Sequence, residues 1–183
     1  MRNKKKIILD MLLNIISTAV PTIILQLLIL PSIANFVDDN KYGLIVTILA
    51  MLNVVPATMG NSLNNIRLVY EERYKENKTK GDFQLVLVIC ETVNILLIFI
   101  ISWYYLGKFD VINILLIIIT GILWLGREYH IVAFRISLNY KAILLNNLYL
   151  TLGYGLGYIV FRITNYWQFI YILGMLISYV YIY

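Results

Sequence analysis

Glu91 stands in the middle of an apolar run from Phe83 to Leu106, with Asn94 one helical turn further on. A carboxylate at bilayer depth costs at least about 2.5–3.5 kcal/mol on a lenient insertion scale, which makes Glu91 a candidate ion-coupling group for a proton or a cation. A neutral Glu91 hydrogen-bonded to Asn94 is the structural alternative. Arg127 and His130 lie three residues apart, on one face of a helix, and Arg135 follows towards its end. With Arg67 they form a candidate cationic mouth for a diphosphate, which Arg recognises through two parallel donors. Snorkelling of the same side chains to lipid phosphates is the alternative.

Uncharged polar residues add two stripes. Asn14, Thr18, Thr22 and Gln26 recur every four residues and drift slowly around one helix. Asn53, Gly60 and Asn64 share a face of the next apolar block, with Asn61 and Asn65 beside it. Both stripes are expected to face inward, either to hydrogen-bond between helices or to line a hydrated cavity. Asn14, Thr18, Gln26, Asn53, Asn61 and Asn64, together with Arg67, Arg127 and Arg135, are the cavity and substrate candidates. Other chemistries lack their parts. One cysteine, Cys90, and one histidine, His130, leave no Cys/His zinc set and no internal disulfide, so neither a metal nor a cofactor is expected. No nucleophile elbow, zincin, phosphate-loop or dinucleotide motif occurs, and an enzyme is not expected. A membrane glycosyltransferase or acyltransferase would need clustered acids or a His–Asp pair, and Asp38, Asp39 and Asp110 lack that company.

The elements that position these groups follow from composition. Of 183 residues, 61% are apolar and 14% charged, against about 45–50% and about 25% in soluble domains. Six apolar blocks stand out, at 7–36, 43–66, 83–106, 111–134, 143–163 and 166–183. They lack period-two alternation and exceed the roughly 9–11 residues of a barrel strand, so the expected fold is an all-α polytopic membrane protein of six transmembrane helices, a single membrane domain over 1–183. The first block is too long for a signal peptide and carries Asp10, Asn14 and Gln26. As a straight helix it would measure about 45 Å, so it tilts, bends or extends beyond the bilayer, and Pro21 and Pro31 are the places to bend. Gly153 and Gly157, and Gly174 with Ser178, permit close helix approach. The last block, about 27 Å long, ends without a polar stop, which suits the front part of a longer chain.

Basic residues set the orientation. Twelve of the fifteen fall at the amino terminus and in the second-to-third and fourth-to-fifth connections, and only Lys41, Lys108 and Arg162 fall on the other side. The amino terminus is therefore expected in the cytoplasm. Trp103, Tyr104, Tyr105, Tyr166 and Trp167 lie at the opposite interface, where amphipathic rings prefer to sit. The charges are spread between apolar blocks as orientation signals, and nucleic-acid binding is not expected. The sequon Asn77-Lys78-Thr79 falls on the cytoplasmic side and is a chance match.

Several segments, read in order, carry a family resemblance: Leu30-Pro31-Ser32-Ile33-Ala34, Lys41-Tyr42-Gly43-Leu44, the run from Met59 to Leu68, Gly81-Asp82-Phe83, Val132-Ala133-Phe134-Arg135, and Asn139-Tyr140. The sequence resembles the amino-terminal half of bacterial oligosaccharide flippases, the Wzx-like transporters of the multidrug/oligosaccharidyl-lipid/polysaccharide superfamily. The resemblance implies one six-helix lobe of a MATE-like fold in the bacterial cytoplasmic membrane. It implies alternating access that moves an undecaprenyl-diphosphate-linked oligosaccharide between leaflets, with proton or cation coupling in related members. The partners implied are the lipid bilayer, the lipid-linked oligosaccharide, and a missing second lobe or a homodimer partner. A non-transporting membrane subunit or assembly partner, or an inactive fragment, is the competing reading.

Six spans and the basic asymmetry place both termini in the cytoplasm. Single cysteines introduced on a Cys90-free background should label only from the cytoplasmic side between Tyr70 and Lys80. Labelling there by an impermeant reagent from outside would reverse the orientation.

Overall fold

The computed structural model describes residues 4–76, 80–106 and 110–183. The sequon at Asn77, Lys78 and Thr79 lies outside the described residues, as do Arg2 and Lys108. Helix α1 (Lys4–Ile23) continues through a π-helical segment (Ile24–Ile29) into α2 (Leu30–Ala34). Then come α3 (Asp39–Glu76), α4 (Lys80–Leu106), α5 (Val111–Ile136), α6 (Tyr140–Thr164) and α7 (Gln168–Ile182). Five stretches are long and apolar enough to cross a membrane: Ile8–Ala34, Asp39–Tyr70, Phe83–Leu106, Val111–Ile136 and Tyr140–Thr164. The chain is an all-α polytopic membrane protein.

Helix starts are set by short polar side chains more than by the apolar blocks. Asp38 Oδ1 accepts the Lys41 N–H at 2.8 Å, Asp110 Oδ1 the Asn113 N–H at 3.3 Å, and Asn139 Oδ1 the Ala142 N–H at 3.1 Å. Each satisfies a first-turn donor that has no partner within its own helix. Helices α3 and α6 accordingly begin at Asp39 and Tyr140, ahead of the apolar blocks at 43 and 143. Helix α3 also outruns its block, to Glu76, because the polar residues after Ile66 are sound helix formers that need no lipid. The last helix is shorter than the 18-residue apolar block suggests. Asn165 ends α6 in the left-handed region at φ 62°, and the carbonyls of Tyr166 and Trp167 accept from Phe169 and Ile170 in the following turn. That leaves α7 15 residues, about 22 Å of helix against a hydrocarbon core of about 30 Å.

The chain forms two compact units, Met1–Tyr42 with Ala133–Tyr183, and Gly43–Val132. In the first unit α6 is the hub. Its adjacent asparagines reach opposite neighbours: Asn147 Nδ2 donates to the Ser17 carbonyl at 2.8 Å, and Asn146 Nδ2 donates to the Ser178 carbonyl at 2.8 Å. The Ser178 hydroxyl returns a bond to Asn146 Oδ1 at 2.9 Å. The Ser17 carbonyl is the one that Pro21, four residues on and without an N–H, leaves without its helical donor. Asn147 therefore supplies across the helix contact what the proline removes. Between α6 and α7 the backbones touch. A methyl group on Gly153 would lie 2.5 Å from the Gly174 Cα, and one on Gly157 2.5 Å from the Ile170 Cα.

In the second unit α3, α4 and the part of α5 up to Val132 are joined by an apolar cluster of Leu63, Phe83 and Tyr129, with Leu87 against it. Gly60 brings α3 onto α5: a methyl group there would lie 3.1 Å from the Glu128 Cβ.

The proline and the asparagine are energetically linked. Asn147→Leu should lower stability by about 1–2 kcal/mol, read by steric trapping or reversible unfolding, because a buried carbonyl loses its partner. In a Pro21→Ala background the helical donor returns, and the same substitution should cost under about 0.5 kcal/mol. An equal cost in both backgrounds would assign Asn147 to packing alone.

Candidate functional site

The polar residues that the structure brings together lie in the second unit, where the end of α3 meets the later turns of α5. Asn64 and Arg67, one turn apart on α3, reach consecutive carbonyls of α5. Asn64 Nδ2 donates to the Glu128 carbonyl at 2.9 Å, and Arg67 Nη1 donates to the Tyr129 carbonyl. The Arg67 guanidinium also lies over the Tyr129 ring, 4.1 Å from its centroid, and 5.9 Å from that of Phe83. Two aromatic faces and one carbonyl thus fix its plane.

This anchoring leaves valences open. Arg67 Nε is buried without a hydrogen-bond partner, and so is Asn64 Oδ1, in a residue only 1% exposed. Nε belongs to the side-on edge of the guanidinium, the edge that forms two parallel bonds to a carboxylate or phosphate. Buried polar atoms are paired in the great majority of native structures, and buried atoms without a partner, such as these two, call for a ligand or an ordered water.

Arg127 is the second cation here. It is 7% exposed, so it does not extend to lipid phosphates as a snorkelling side chain would, and its Nη1 lies 3.4 Å from Glu128 Oε1. His130 is half-buried, with its ring edge-on to Tyr129 at 5.3 Å between centroids. Arg135 belongs to the first unit, and Arg67 and Arg127 belong to the second.

The asparagine face of α3 is divided. Gly60 and Asn64 are buried, whereas Asn53 and Asn61 are exposed, and Asn53 Nδ2 closes on the Leu49 carbonyl of its own helix at 2.9 Å. Pro56 falls between the exposed and the buried parts. Glu91 is half-buried in α4, with Oε2 3.5 Å from Asn94 Nδ2, at the long limit of a hydrogen bond. Asn94 itself is fully buried, and its Oδ1 has no partner.

The stripe on α1 departs from the inward orientation. Asn14, Thr18, Thr22 and Gln26 are all exposed, whereas Ser17, on another face of α1, is buried. Thr18 and Thr22 satisfy their hydroxyls on the carbonyls of Asn14 and Thr18, at 3.2 and 2.9 Å. Contact with α6 follows the face of Ser17 and Pro21, and the four-residue spacing carries the stripe away from it.

Sequence reasoning missed Asn146, Asn147 and Glu128. Two adjacent asparagines amid the apolar residues of α6, and an acid beside Arg127 inside a span, were signals of the same kind as Glu91. Among the described residues no group of three or more His, Cys, Asp or Glu is placed to hold a metal ion. Comparisons with protein-family models, with curated proteins and with solved structures return no match.

The contrast between Asn64 and Asn147 is measurable. The Glu128 carbonyl lies within α5 and keeps its own helical donor, while Asn64 buries an unmatched oxygen. Asn64→Leu should therefore change stability by less than about 1 kcal/mol, measured as for Asn147. A loss as large as that of Asn147→Leu would make Asn64 a structural tie between α3 and α5.

Proposed function

We propose that this protein moves a lipid-linked oligosaccharide carrying a diphosphate from the cytoplasmic to the outer leaflet of a bacterial membrane, by alternating access and with its amino terminus in the cytoplasm. The observation that carries the reading is the Arg67 guanidinium, held in plane by Tyr129 and Phe83 with its buried Nε edge unmatched. It stands at the end of the apolar part of α3, where the basic connection begins. A diphosphate presents paired oxygens to such an edge, and its negative charge suits a mouth that also holds Arg127. The residues of the flippase resemblance run through this segment, from Met59 to Leu68. Glu91 is the group proposed to couple movement to a proton or cation, since among the described residues its side-chain hydrogen bond is the long one from Asn94 Nδ2 at 3.5 Å, a weak offset for a carboxylate at that depth.

A second reading, a non-transporting membrane subunit, is favoured by the exposed stripe on α1, which suits a helix that docks on another protein. Leaflet-resolved movement of a fluorescent diphosphate-linked lipid oligosaccharide in vesicles separates the two. Arg67→Lys keeps the charge and one donor but lacks the fork, and should slow movement about tenfold or more at equal insertion. Glu91→Gln should abolish coupling to an imposed ion gradient. Unaltered movement in both variants would remove Arg67 and Glu91 from transport, and no movement by the wild type would favour the subunit.

A further inference from the structure

Two inward-facing asparagines of the first unit are matched across helix contacts: Asn146 with Ser178, and Asn147 with the carbonyl freed by Pro21. On the outer face of α1 the two threonines are matched as well, each closing on its own helix. What remains exposed there is a pair of carboxamides, Asn14 and Gln26. The span runs from Ile8 to Ala34, so Asn14 lies about 10 Å to one side of its midpoint and Gln26 about 8 Å to the other. Both fall within the roughly 15 Å half-thickness of the hydrocarbon, where an amide facing lipid finds neither water nor a headgroup.

We infer that this face of α1 is the contact with a second copy of the same chain, paired about a twofold axis along the membrane normal. The geometry selects that occupant. Copies inserted in one orientation place each residue at the same depth as its counterpart, so Asn14 meets Asn14 and Gln26 meets Gln26. A carboxamide carries both donor and acceptor and pairs with its own image through two N–H···O bonds. An unrelated partner would need amide-matching groups at both depths; a second copy has them by construction. Spacing agrees with this arrangement. A four-residue repeat with small Thr18 and Thr22 between the amides is the pattern of a close, right-handed helix crossing. The π-helical segment Ile24–Ile29 contains Gln26. Its wider turn rotates less per residue than an α-turn, which holds Gln26 nearer to the line of Asn14 than a straight α-helix would.

The interface is tested on the full chain in lipid vesicles, without reference to transport. On a Cys90→Ser background, Thr18→Cys should form an oxidative dimer. Ile16→Cys, exposed but off the stripe, and Ser17→Cys, facing α6, should not. By single-molecule step counting, the wild type should titrate from monomer to dimer as protein density rises. The double variant Asn14→Leu with Gln26→Leu should need about tenfold or more higher density, while apolar residues leave insertion unimpaired. Wild-type monomers at every density, dimers unaffected by the double variant, or equal cross-linking at Thr18→Cys and Ile16→Cys would each overturn the proposal. Loss of the dimer would leave the Arg67 and Glu91 reading untouched, because neither residue lies on α1.

Discussion

A carbonyl in hydrocarbon has no water to accept from, and the first unit of this protein is arranged around one such carbonyl. Pro21 removes the donor that Ser17 would receive in an unbroken helix, and α6 answers with Asn147 at 2.8 Å. That bond fixes which face of α6 meets α1. Its neighbour Asn146 then points the other way, into the paired bonds with Ser178. Gly153 and Gly157 continue the α7-facing side and let the two backbones meet. The helix that satisfies the proline break thereby also holds α7, which is too short to depend on its own length for anchorage.

The second unit joins helices by a different use of the same side chains. Asn64 and Arg67 bond to carbonyls that lie in an unbroken stretch of α5. Such bonds add little where the acceptor is already served, yet their geometry leaves Arg67 Nε and Asn64 Oδ1 buried and open. Stability favours closing these valences, and the proposed binding of a diphosphate would use them open. Arg67 is the residue in which the two demands meet, since stacking on Tyr129 and Phe83 supplies the rigidity that full hydrogen bonding would otherwise give.

Much of the fold was legible because lipid restricts the choice. Spans at 83–106 and 111–134 appear as Phe83–Leu106 and Val111–Ile136, since a chain without water must close its backbone within each segment. Boundaries were less legible where a polar cap decides them, as at Asp38 and Asn139. The final block shows the limit most clearly: its composition reads as one apolar run from Tyr166, but the left-handed Asn165 and the turn that follows take its first residues.

By itself the sequence determined that the protein is helical, crosses a membrane several times and carries polar groups at depth, because apolar content and run length act through the solvent and need no knowledge of neighbours. Tertiary structure decided which polar groups are matched. Asn14 and Asn147 are the same residue type in equally apolar surroundings, yet one is exposed and the other completes a broken helix. Helical spacing assigns residues to a common face, but the direction of that face depends on where the next helix packs. That is settled by long-range contacts such as Asn147 with Ser17, between residues 130 apart in the chain, and no local pattern encodes it.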